Sequence, residues 1–132
     1  MIQPGPGFRP PPGLGQGPTG ELQVALLLVV LLACVMTLAS FPGTYVFTSW
    51  YRDPARNAAV GDVPNSRHLL GLGLDVAVNP DRLRTLATLG LEAGAARTAL
   101  LLNFRRLREM LGLGSRWQAV DEGDHVHFEI DF

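Results

Sequence analysis

Across 132 residues, eleven basic side chains, all of them arginine, nearly balance twelve acidic ones, so a net charge of −1 offers nucleic acid no general attraction. A single uncharged apolar run leaves room for one small soluble domain and excludes two. The only cysteine, Cys34, lies inside that run, which excludes an intrachain disulfide.

Residues 1–20 hold six of the ten prolines and six of the fifteen glycines, with Phe8 and Leu14 as the main apolar side chains. Such a segment buries too little surface to offset its ordering entropy, so a flexible, partly polyproline-like tail is expected. Residues 21–43 read as a transmembrane helix. Leu22–Phe41 contains no charge and one amide, and at ~1.5 Å per residue it spans a bilayer core of ~30 Å. Leu22, Leu27, Val30 and Phe41 would face lipid, and Pro42-Gly43 would stop the helix. Residues 44–65 follow as an interfacial segment and linker, in which Tyr45, Phe47, Trp50 and Tyr51 would form an aromatic collar at the headgroups. Arg9 on one side and Arg52 and Arg56 on the other leave the membrane orientation open. Three processed forms compete with the span, one of them a type IV pilin-like start to which Gly20-Glu21-Leu22-Gln23-Val24 bears a faint resemblance. Thr37-Leu38-Ala39 offers small residues for signal cleavage, and Leu31-Leu32-Ala33-Cys34 loosely resembles a lipobox that would make Cys34 a lipid anchor.

Residues 66–132 read as a small α+β domain of strand, helix and β-hairpin. In Leu70–Val78 a period of two puts Leu70, Leu72, Leu74, Val76 and Val78 on one face. Gly71, Gly73, Asp75 and Ala77 form an unusually small second face, where Gly71 and Gly73 would admit another backbone, a subunit contact in the sharper reading. Asn79-Pro80-Asp81 combines a capping side chain, a first-turn proline and an acid at the positive dipole end. The helix it starts should reach about Leu111, bent or broken near Gly90. Its Leu100, Phe104, Leu107 and Leu111 make a core stripe, and Arg97, Arg105 and Arg108 offer another side to partners or headgroups. At the end of the chain, a two-residue turn at Glu122-Gly123 would pair Trp117 with Phe128, Ala119 with Val126 and Arg116 with Glu129.

One constellation suggests chemistry. His125-x-His127-x-Glu129-x-Asp131 puts four polar side chains on one strand face, where His125 and His127 could chelate a transition metal. Further ligands would come from Asp121, Glu122, His68 or another chain. No phosphate-binding glycine loop or nucleophile elbow occurs. Charge is also divided: residues 80–112 carry +3 and residues 115–132 carry −4, which could set contacts between copies.

From these features the expected protein is a non-enzymatic, single-pass membrane accessory or assembly subunit, with no resident cofactor. Its partners would be the lipid bilayer and other subunits of a membrane complex, or further copies of itself, and not nucleic acid. The alternatives are a metal-binding or redox-associated membrane-anchored domain using His125 and His127, and an exported or Cys34-lipidated domain.

Overall fold

Alternation of Leu72, Leu74, Val76 and Val78 with Gly73, Asp75 and Ala77 produces the central strand of the fold. The computed structural model describes residues 3–40 and 45–131. Strands β1 (Gln3–Pro4), β2 (Tyr45–Ser49), β3 (Gly73–Val78), β4 (Trp117–Asp121) and β5 (Val126–Ile130) form a mixed sheet in the order β1-β2-β3-β5-β4. Only the β1–β2 pair is parallel. Helices α1 (Gly17–Ser40), α2 (Pro54–Ala59), α3 (Leu83–Thr88) and α4 (Ala93–Met110) complete the α+β fold, with 3₁₀ turns at Arg67–Leu70 and Pro80–Arg82.

Leu74, Val76, Val126, Phe128 and Ile130 line one buried face of the sheet, and α4 covers it. Ala96, Leu100, Phe104 and Leu107 recur at helical spacing to supply the matching stripe, and the Phe104 and Phe128 rings meet at 4.9 Å. Leu100 and Phe104 are fully buried, each contributing roughly 1.5–3 kcal/mol by leaving water. The opposite face of β3 and β5 carries Gly73, Asp75, His127 and Glu129. Two layers on one sheet thus separate the core from the polar chemistry.

Several expectations change on folding. The α+β architecture stands, but the sheet gains β1 and β2 from residues that precede Ser66. Tyr45, Phe47 and Trp50 are not an interfacial collar. They are buried core residues, because Y-V-F-T-S is a strand whose aromatic side chains stand beside Val76 and Val78. Tyr51 is half-buried, and its backbone N–H donates to the Arg9 carbonyl. The proline-rich start packs along β2 instead of trailing free: Phe8 stacks on Phe47 and Trp50 at 5.1 and 5.4 Å, and Pro11 is buried.

The helical stretch after Asn79 divides at Gly90, whose φ of 74° suits glycine, so α3 and α4 are separate. Asn79 caps as expected, accepting from the Asp81 N–H at 3.0 Å. In the hairpin, Trp117 faces Ile130 and Ala119 faces Phe128, two residues away from the expected register. Asp121 accepts from the Gly123 N–H, and the Glu122 N–H donates to the His125 carbonyl, which makes a longer loop. A shift by two preserves which side chains face the core.

One long apolar helix lies near the N-terminus: within α1, Gly17–Thr37 is long and apolar enough to cross a membrane. In the fold, α1 packs on α4 and β5. Of its expected lipid-facing residues, Val30 is fully buried and Leu22 and Leu27 are partly buried against the core. Phe41, the stop at Pro42-Gly43, and Phe132 lie outside the described residues.

Candidate metal centre

The site is built from a turn and two neighbouring strands. Ser66 caps the Arg67–Leu70 turn by accepting from the His68 N–H at 3.3 Å. Gly71, with φ 69°, ends that turn, and its carbonyl accepts from the Trp50 indole at 2.8 Å. The turn thereby lays His68 over the polar face of β3. Gly73 makes this possible, since a Cβ there would stand 3.0 Å from the His68 nitrogen and 3.2 Å from His127 Cε1. The antiparallel register of β3 and β5 then sets Asp75 directly opposite His127.

His68, Asp75 and His127 each offer one potential ligand atom, and the three atoms lie within 4.8 Å of one another. Asp75 Oδ1 is 3.2 Å from His68 Nε2 and 2.8 Å from His127 Nδ1. The outer ring nitrogens are also engaged. His68 Nδ1 is 2.6 Å from the Trp50 carbonyl, and His127 Nε2 is 2.9 Å from Glu129 Oε1. Each imidazole therefore faces an acceptor at both nitrogens, although a neutral ring can donate from only one. Satisfying all four contacts takes either two imidazolium rings with centroids 5.1 Å apart, or one cation shared by the inner nitrogens and Asp75. A divalent ion supplies the same charge as two protons while leaving both rings neutral. The outer contacts are those that orient metal-binding histidines.

Electrostatics hold the carboxylate in its ligating form. Burial pushes the Asp75 carboxyl up, but hydrogen bonds and charge from His127 and His68 outweigh it and hold it far below the usual range. Burial likewise pushes His127 down, and Asp75 and Glu129 outweigh it, raising it above its ordinary value. Arg52 takes the second oxygen of Asp75 at 3.3 Å and ties it to Asp62 at 2.6 Å.

These residues form the floor and wall of a cleft of about 650 Å³, with Glu122 and His125 also lining it. His125 stands beside the cluster: its Nε2 is 3.8 Å from Asp75 Oδ1, and its Nδ1 is 2.5 Å from Asp124. Of the His125–His127 pair, the fold thus brings His127 together with His68, while His125 stays on the rim. Glu129 stands behind His127, and Asp131 pairs instead with Arg67. Gly71 lies against the side chains of Pro11 and Gln23, while Gly73 lies beneath the Arg67–His68 backbone, so a close backbone occurs at Gly73 alone of the two and belongs to this same chain. Arg97 pairs with Asp121 at 2.9 Å, Arg108 donates to the Trp117 carbonyl, and Arg105 is exposed. Asp75 was not among the ligands expected from sequence. Its available signal is a lone charge in the middle of an otherwise uncharged strand, seven residues after a histidine.

An α+β fold carrying a two-histidine, one-carboxylate cluster in a surface cleft is the class that these observations define. No family model matches the chain, and no curated protein matches it. Among solved structures the fold is similar to that of the L-Ala D-Glu endopeptidase ChiX from Serratia marcescens. The TM-score is 0.49, with 16% sequence identity and 85% of each chain covered. The expectation of a non-enzymatic membrane accessory or assembly subunit is corrected here. Three potential ligand atoms converge in an accessible cleft, an arrangement that could hold a metal ion. The correction rests on that cluster.

Proposed function

We propose that the chain is a metal-dependent hydrolase acting on peptide bonds, with His68, Asp75 and His127 as ligands of a divalent ion such as zinc. The convergence of those three atoms, each ring braced by an acceptor on its far side, carries the reading. Two imidazoles and one carboxylate suit zinc and leave a coordination position open, as hydrolytic sites require. An ion held there supplies Lewis acidity toward a carbonyl and lowers the pKa of a water.

The chain's own groups prepare the rest. The Trp50 carbonyl and Glu129 hold the two rings with their inner nitrogens free to ligate. Arg52 fixes the second Asp75 oxygen, which fixes the angle of the first. Glu122 and His125 line the cleft at the β4–β5 loop, with His125 bonded to Asp124, and a side chain there can take up or return a proton. A polar cleft open at the surface suits an extended polar chain better than a small apolar molecule. In this reading the apolar α1 keeps the cleft close to a membrane.

Metal analysis and a peptide assay on the purified protein test this. An L-Ala–D-Glu peptide is the first substrate to offer, because ChiX is named for that bond. The expected result is one ion per chain, with hydrolysis lost on chelation and restored by zinc. His68→Ala and His127→Ala should both abolish tight metal binding. A protein that takes up no stoichiometric zinc, or one whose hydrolysis survives His127→Ala, would overturn the proposal.

A further inference from the structure

The side chains of α1 are sorted by polarity in a way that a membrane-crossing helix does not need. Between Leu22 and Thr37 the polar side chains are Gln23 and Thr37, and both are buried toward the domain, as is the thiol of Cys34. Gln23 donates to the Leu70 carbonyl at 2.7 Å, and Thr37 accepts from Asn103 of α4 at 2.9 Å. At 100° per residue, Leu28, Leu32 and Val35 fall on the opposite side, and they are 54%, 49% and 56% exposed. The apolar stretch is 39% buried in the domain. Crossing a bilayer would strip that face from α4 and β5 and place Gln23 and Thr37 in hydrocarbon.

We propose that α1 stays in the fold and that its outer face lies in the plane of an anionic bilayer surface, docking the whole domain. Charge favours this occupant. On α4, Arg105 and Arg106 are exposed and form no ion pair among the described residues; Arg106 lies on the side nearer Asn103 and α1, with Glu109 exposed between the two arginines and Met110 71% exposed. Guanidinium groups flanking an apolar stripe match acidic headgroups over acyl chains. Glu21 sets the end of the insertable stretch. A second copy fits less well. The outer stripe of ~16 residues offers ~250 Å² per chain from helix dimensions, and a pair would bury ~500 Å². Stable interfaces need ~1,200 Å², more than twice that area.

The test is flotation of the full chain with vesicles of phosphatidylcholine, with and without phosphatidylglycerol, carrying an N-terminal tag and adding protease outside. Expected is binding that strengthens with the anionic lipid while the tag remains cleavable. Leu32→Glu should weaken binding by about tenfold or more, the worth of one buried leucine. Arg105→Glu with Arg106→Glu should abolish the preference for anionic vesicles. Both variants alter exposed positions, and unchanged circular dichroism would show that the fold persists. A tag protected inside the vesicle would establish spanning and overturn the proposal. So would absence of binding, whether the protein is then monomeric or forms a dimer that Leu32→Glu dissociates. Hydrolysis plays no part in these outcomes, so this inference stands or falls apart from the enzymatic one.

Discussion

Replacing Asp75 with asparagine keeps the shape of the side chain and removes the charge on which the site converges. In the metal-free protein, one oxygen faces His68 and His127 and the other faces Arg52. The Asp75 and Arg52 side chains are 8% and 12% exposed, so solvent screens the pair little. Removing one partner of a buried pair costs ~3–5 kcal/mol, and because Arg52 keeps Asp62 at 2.6 Å the lower figure applies. Against a total stability of ~5–15 kcal/mol, that is a large share. With a urea slope of ~1.5–2 kcal/mol/M, the midpoint of the chelated protein should fall by about 2 M. The pH dependence has a definite sign. Because the folded carboxyl is held below its unfolded value of ~3.9, its contribution is complete above that pH. It is lost only as pH falls through the folded value. The gap between wild type and Asp75→Asn should therefore be steady between about pH 6.5 and 5, shrink as pH rises through the raised His127 value, and close in strong acid. Urea unfolding at several pH values, paired with a zinc-competition titration, measures both consequences. A variant less than ~1 kcal/mol destabilised that also binds zinc like wild type would refute the account of Asp75 as counter-ion and ligand.

Glu129→Gln removes the carboxylate behind His127, and zinc affinity should fall by ~10–100-fold with the fold intact, measured by competition against a chelator. Gly73→Ala places a methyl group 3.0 Å from the His68 nitrogen and 3.2 Å from His127 Cε1. It should impair zinc binding far more than it changes the far-ultraviolet circular dichroism. Zinc must displace a proton from His127, whose pKa is raised, so affinity should fall as pH drops through that value in a pH series of the same titration. In the chelated protein the sign reverses. The His127 contribution to stability is full below ~6.5 and is lost as pH rises through the raised value, which urea midpoints would follow.

How much of this was legible in the chain follows the range of the interaction responsible. The apolar α1, the capped start at Asn79, the break at Gly90 and the alternation of β3 and β5 are local, set by periodicity, capping and the conformational freedom of glycine. The same alternation put His127 and Glu129 on one face before any fold was known. The hairpin register was not legible, because a shift by two residues keeps every side chain on its own face and loop hydrogen bonds make the choice. The aromatic residues of β2 were misread because amphipathic rings suit a headgroup layer and a protein core equally well. Only the placement of β2 beside β3 distinguishes the two.

The candidate site shows the division most sharply. By itself the sequence determined that His127 and Glu129 share one face of β5 and offered His68 as a further ligand, and it did not single out Asp75. That His68, Asp75 and His127 meet was decided by tertiary structure, through a strand order that brings β5 beside β3 and a turn that folds back over Gly73. Positions 52 residues apart have no local signal that joins them, since their pairing depends on which strand edge the hairpin finds once the core face of the sheet is buried.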